Sequence, residues 1–235
     1  MLDLPTRIRL LELATAPVVE RFDAPSPLTG PVAVLPSAFN PPTRAHLHLL
    51  AASAEVLGGS SAALLTTRNV DKGLSGASHV QRIEMLLAAS AACRSLAVLA
   101  ANQARIVDQA AVLRESYPTA AFAFVLGHDT LMRLFEPSYY ADMAAELAPF
   151  FEHHRLVVTN RAAHSIAEVE AFLSADAAPF ADRITVLEID DHHASLSSTA
   201  ARLHAASGRD TPSLTPEVAE YVRAQGLYRE GQPPG

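Results

Sequence analysis

The stretch "VLPSAFNPPTRAHLHLL", residues 34–50, joins a short apolar run to a helical one through a turn. Pro41 and Pro42 fix φ and remove backbone donors, so the turn is stiff. A helix beginning near Thr43 aims its free N–H groups back at the end of the apolar run. Thr43 and His46 are three residues apart and project from the first turn onto one face. A core would need only a turn here. A hydroxyl, an imidazole and a helix N-terminus meeting at one point suit a phosphate group. Taken alone, the same pattern also describes a threonine cap followed by a half-buried histidine. His48 faces another way and reads as an ordinary helix residue.

Outward from this stretch the pattern alternates. Apolar runs at 32–36, 62–67, 96–100, 121–127, 155–160 and 184–189 read as strands. Helical segments follow at about 43–57, 79–92, 103–116, 165–174 and 197–207, with short helical pieces between 129 and 148 and a last helix over 216–227. Continuous apolar strands, each followed by a helix, predict an α/β domain: a doubly wound parallel sheet covered on both faces. Ligands of such sheets sit outside the carboxyl ends of the strands, where the strand order reverses. Ahead of the sheet, residues 6–21 predict a short amphipathic helix with Ile8, Leu11 and Val19 on its buried side, and 23–31 a Pro-rich connector. The domain division is therefore 1–31, an N-terminal helical extension and connector, and 32–235, the main domain.

On this basis the residues after the other strands are the next candidates for chemistry. Ser197, Ser198 and Thr199 stand where the last loop enters a helix, with Arg202 one turn further on the same face. Hydroxyls, unpaired N–H groups and a guanidinium make a second anion cradle, although a Ser/Thr cap with a surface arginine looks the same. In "VLGHDTLMRL" (125–134), Gly127 allows close backbone approach and Asp129 could accept from a ribose diol or simply cap the helix. Lys72, in the polar loop after the second strand, could reach a triphosphate. Phe135, Tyr139 and Tyr140 offer rings for a planar base, with core packing the alternative. Arg161 is a further candidate for a phosphate contact. Each signal is weak singly. Together they put phosphate-handling groups along one sheet edge.

Composition narrows the options. The chain has 235 residues, 49% of them hydrophobic, and a net charge of −7. That suits one large domain and argues against a nucleic-acid partner, which would ask for a basic surface. The single cysteine, Cys93, permits no intrachain disulfide and fits a reducing, cytoplasmic setting. No apolar segment is long enough to span a bilayer, so no membrane partner is expected. The pairs His153-His154 and His192-His193 invite a zinc reading, but no spaced third ligand accompanies them, and no protein metal site is assigned. No G-x-G-x-x-G follows the first strand, which argues against a redox dinucleotide enzyme.

At this point the sequence resembles the nucleotidyltransferases with an (H/T)-x-x-H signature, and among them the nicotinamide/nicotinate mononucleotide adenylyltransferases. "SAFNPPTRAHL" is similar to the family's G-S-F-N-P-P-(H/T)-x-G-H-L, "LSSTAAR" to its I-S-S-T-x-x-R, and "LGHDTLMRL" to its G-x-D-x-L. "TPEVAEYVRAQGLY" resembles the closing helix of bacterial members, whereas the loop with Lys72 and "HDTLMRLFEPSYY" look more like the fungal-type enzymes. The resemblance covers roughly residues 32–228. Pro36 and Ala45 stand where the family pattern has glycines.

The resemblance implies a Rossmann-like nucleotidyltransferase fold and transfer of AMP from ATP to a pyridine mononucleotide, with Mg²⁺ carried by the ATP phosphates. It implies catalytic roles for His46, Thr43, Lys72 and Arg202. It implies ATP contacts from Ser37, Ala38, Phe39, Gly127, Asp129, Ser197, Ser198 and Thr199. Asn40, Phe135 and Arg161 are the candidates for the mononucleotide. Two other readings stand beside it: a related transferase with another phosphorylated acceptor, and a non-catalytic nucleotide-binding protein. A symmetric homo-oligomer is the default assembly.

Overall fold

A computed structural model describes residues 2–68, 76–91, 93, 95–159 and 166–229. In chain order the elements are α1 (Leu4–Leu13), β1 (Val19–Arg21), β2 (Gly30–Ser37), α2 (Arg44–Leu57), β3 (Ser60–Thr66), α3 (His79–Ala91), β4 (Leu96–Ala101), α4 (Ile106–Ser116) and β5 (Ala120–Gly127). They continue with α5 (His128–Leu134), α6 (Met143–His153), β6 (Arg155–Thr159), α7 (Ile166–Ala175), β7 (Ile184–Leu187), α8 (Asp191–Ser195), α9 (Ser198–Ala206) and α10 (Pro216–Ala224).

The strands form one sheet in the order β1-β4-β3-β2-β5-β6-β7. All pairings are parallel except that of β1 with β4. Without β1, the remaining strands have the order of a doubly wound nucleotide-binding sheet, with its switch point between β2 and β5. Alternation along each strand feeds two cores. Val32, Val34, Phe122 and Phe124 face a layer containing Phe150, Phe151 and Phe172. Ala33, Leu35, Ala123 and Val125 face Leu50, Ile83 and Leu86 on the other side. Both faces are covered, which is why these strands read as unbroken apolar runs.

The N-terminal segment differs from the helix expected over 6–21. The helix stops at Leu13, and Val19–Arg21 pair with Leu99–Ala101 as an edge strand. Pro17 explains the break, because proline and the residue before it resist continued helix, and Val18 and Val19 favour extended backbone. Ile8 and Leu11 are buried in the α2/α3 core. Asn102 holds the linking backbone: its amide donates to the Ala14 and Ala16 carbonyls, and its Oδ1 accepts from Val18 N–H. The first 31 residues are thus joined to the sheet by strand pairing, side-chain hydrogen bonds and shared core.

Candidate active site

The two strands at the switch point separate before they end. Pairing of β2 with β5 stops at Val34↔Phe124, whereas pairing of β2 with β3 runs on to Ser37↔Leu65. Pro36 lies beyond the separation, and its lack of an N–H leaves no donor stranded there. The gap is a cleft of about 690 Å³, counting the solvent at its mouth, with Leu35, Pro36 and Ser37 on one wall and Val125, Leu126 and Gly127 on the other. His46, Thr130, Thr159, His193 and Leu196 complete much of its lining.

Thr43 is the N-cap of α2 and is fully buried. Its backbone N–H donates to Nδ1 of His46 at 3.0 Å, and its Oγ1 lies 2.8 Å from the same nitrogen. A nitrogen that accepts an N–H bond carries no proton itself, so the neutral ring holds its proton on Nε2. Nε2 lies 3.5 Å from Oγ of Ser37, another cleft residue. The ring also packs at 5.2 Å, centroid to centroid, against Phe39, which is buried at a positive φ of 44°. His46 is thus set as a donor beside the helix N-terminus.

Four distant segments hold the turn that precedes α2. The Tyr228 hydroxyl donates to Asn40 Oδ1 at 2.9 Å, and Ala77 N–H donates to the same oxygen at 3.2 Å. A side chain at Gly76 would strike the Asn40 amide at 2.8 Å, so the backbone approaches as only glycine allows. Arg82, 3% exposed, donates through Nη1 to the Ala38 carbonyl and through Nε to that of Ala77. Burial pulls its guanidinium below the usual arginine range, and the charge on Arg202 adds to the effect. Arg44 donates through its backbone N–H and Nε to the carbonyls of Ser213 and Leu214.

The second cradle closes on the same turn. Ser198 Oγ donates to the Pro41 carbonyl at 2.8 Å, and Arg202 Nη1 donates to that of Asn40 at 2.7 Å. Arg202 Nη2 also donates to Thr199 Oγ1 at 3.2 Å. Ser197 caps α9 by accepting from Ala200 N–H. The loops bearing Thr43 and Arg202, which are far apart in sequence, therefore meet. Gly127 lines the cleft; Asp129 is exposed in the first turn of α5 and is not among the lining residues. Phe135 corrects an expectation. Its ring is buried beside Phe151, Phe172 and Phe180, at centroid distances of 6.0, 5.6 and 6.3 Å, and belongs to the core, not to a base pocket. Lys72, the chain's one lysine, and Arg161 lie outside the described residues. Arg82, Thr130 and Tyr228 were not singled out from the sequence, and His193 was weighed only as one of a histidine pair for zinc. For His193 and Thr130 a signal existed, since both closely follow strands; Arg82 sits inside a helix and offered none.

Comparison with known proteins identifies the family and the fold. The model of the cytidylyltransferase-like family matches residues 34–202, from the first cradle to the second. The chain belongs to that family. A protein of Anaeromyxobacter dehalogenans that bears the name of a nicotinate-nucleotide adenylyltransferase is 30% identical, over 84% of this chain and 96% of its own length. A Schizosaccharomyces pombe protein named as a nicotinamide mononucleotide adenylyltransferase is 28% identical over 66% of this chain; the match spans 60% of that longer relative. Among solved structures, the Plasmodium falciparum nicotinic acid mononucleotide adenylyltransferase complexed with NaAD superposes with a TM-score of 0.65 at 16% identity, covering 85% of this chain and 97% of that one. At that identity the likeness establishes the fold.

Proposed function

We propose that this chain transfers AMP from ATP to nicotinate or nicotinamide mononucleotide, releasing pyrophosphate. The acceptor's phosphate oxygen attacks the α-phosphorus in line, a new P–O bond forms, and the bond to the β-phosphate oxygen breaks. The nucleophile is already anionic, so no general base is needed, and catalysis consists of positioning and charge stabilisation. The observation that carries the reading is His46: its tautomer is set by Thr43, and Nε2–H is offered at the N-terminus of α2 beside the switch-point cleft. In this reading His46 donates to the α-phosphate as charge builds there. Ser37 and the Ala45 end of the first turn of α2 seat the phosphates, with Thr43 holding the His46 ring in place. Ser197, Ser198, Thr199 and Arg202 cover them from α9, and Lys72 pairs with the leaving pyrophosphate. Gly127 lets the ATP ribose lie close to the end of β5.

In this reading Mg²⁺ is carried by phosphate oxygens and water and would supply charge neutralisation at the triphosphate. The single free cysteine supports a reducing compartment, and we place the reaction in the cytoplasm. The test is pyrophosphate release from ATP with nicotinate mononucleotide and, separately, with nicotinamide mononucleotide. Turnover with at least one is expected. No release with either, alongside release with a different phosphorylated acceptor, overturns the reading.

A further inference from the structure

His48 and the pair Asp190 and His193 belong to segments far apart in sequence, and the fold brings them together. His48 lies on α2, one residue past Leu47 and off the face that carries His46. Asp190 is the N-cap of α8 and His193 lies on that helix. The Asp190 carboxylate accepts from the backbone N–H of His193 at 2.9 Å, and its Oδ2 lies 2.7 Å from His193 Nδ1. His48 Nε2 is 3.9 Å from the same Oδ2. The two imidazole rings are stacked, 3.8 Å apart and 11° from parallel. One donor atom from each of the three side chains lies within 4.8 Å of the others.

We propose that these three residues form a site for a divalent transition cation, of the Zn²⁺, Ni²⁺ or Co²⁺ class. Two imidazoles and one carboxylate suit those ions, whereas Mg²⁺ and Ca²⁺ favour all-oxygen shells. Three protein donors leave one position for water or an anionic ligand. The donor atoms around a tetrahedral ion with bonds of about 2.1 Å are roughly 3.4 Å apart. The wider separations therefore need to close by up to about 1.4 Å and the 2.7 Å pair to open by about 0.7 Å, with one ring turning out of the stack so that its lone pair faces the ion. They have room to do so, because the side chains of His48, Asp190 and His193 are 39%, 54% and 27% exposed. Asp190 supplies full negative charge: hydrogen bonds from His193 hold its carboxyl down to about 2.

The site also has a structural consequence. His193 lines the cleft beside His46, and α8 runs directly into Leu196 and Ser197. An ion shared by His48 and His193 would tie α2 to α8 and so hold the second cradle against the first. The sequence offered the His192-His193 pair without a third ligand; the fold supplies that ligand from α2.

The experiment uses the full chain, stripped with a chelator and titrated with Zn²⁺ alone by calorimetry. The visible ligand-field bands of bound Co²⁺ and the melting temperature serve as independent readouts. One equivalent per chain and a raised melting temperature are expected. His48→Ala and Asp190→Asn should each weaken binding by at least about tenfold and abolish the thermal shift, while His204→Ala, which is not part of the cluster, keeps both. Melting of each variant without metal checks that it is folded. Absence of stoichiometric binding overturns the proposal. So does unchanged Zn²⁺ affinity in both His48→Ala and Asp190→Asn, which would place any ion at His46 or elsewhere.

Discussion

The two halves of the cleft are built differently. The turn from Ser37 to His46 is fixed from outside: Tyr228, Ala77, Arg82, Ser198, Arg202 and Ser213 all bond to it, and Phe39 and Thr43 are buried. The segment from Asp190 to Arg202 is fixed mainly by its own caps, with His48 of α2 set against Asp190 and His193. Asp190 bonds His193, Ser197 bonds Ala200 and Arg202 bonds Thr199, all three residues apart. It reaches the first turn through the Ser198 and Arg202 bonds. Contacts that cross the fold make a rigid platform, whereas local caps on exposed residues leave a cover that can adjust to a bound nucleotide. In the proposed reaction the platform would orient the reacting phosphate, and the cover would grip it.

The largest expected effect tests the platform's chemistry. His46→Ala should lower kcat by at least about a hundredfold, near 3 kcal/mol in the barrier, as for other preorganised donors. Steady-state pyrophosphate release measures it, and a near-normal kcat would remove His46 from the reaction.

The next pair sets platform against cover directly. Asn40→Ala leaves the Tyr228 hydroxyl and the Ala77 N–H without their acceptor. It should cost about 2 kcal/mol of unfolding free energy and impair turnover together with it. Arg202→Ala removes a partly exposed donor and should cost under about 1 kcal/mol of stability, yet raise the KM for ATP severalfold. Denaturant melts beside ATP titrations decide the matter; equal stability losses in the two variants would erase the distinction.

A last effect, absent at neutral pH and read only in acid, separates both turns from the core beneath them. His154 is packed against Phe124 and Phe150, with centroids 5.7 and 5.5 Å away. Burial, with the nearby charges of His153 and Arg114, pushes its imidazole down to about 4. The unfolded chain would bind this proton at about pH 6.5 and the folded chain only near pH 4, so stability present above 6.5 is lost as the pH falls through that window. The loss should approach, and not exceed, about 3 kcal/mol at the acid end. His154→Leu should flatten the dependence in melts between these limits. If the acid response persists unchanged, it originates elsewhere.

The legible parts of this protein were those encoded over short spans. Apolar runs followed by helical periods gave the strands near their observed bounds, and Thr43-x-x-His46 and Ser197-Ser198-Thr199 marked two segments that meet at the Asn40–Pro41 turn. The helix expected over 6–21 failed because periodicity outweighed Pro17 in the reading. Phe135 failed because an aromatic near a predicted site looks the same whether it faces ligand or core. Arg82 could not be found at all, since its role depends on which carbonyls surround it.

By itself the sequence determined the alternation of elements, the doubly wound class and the chemistry available at the strand ends, because period, caps and turn residues are local properties of the chain. Only the tertiary structure decided where β2 and β5 part, which oxygen Tyr228 reaches from 188 residues away, and that His48 meets Asp190 and His193. These are distances between segments, set by strand order and packing, and no spacing along the chain records them.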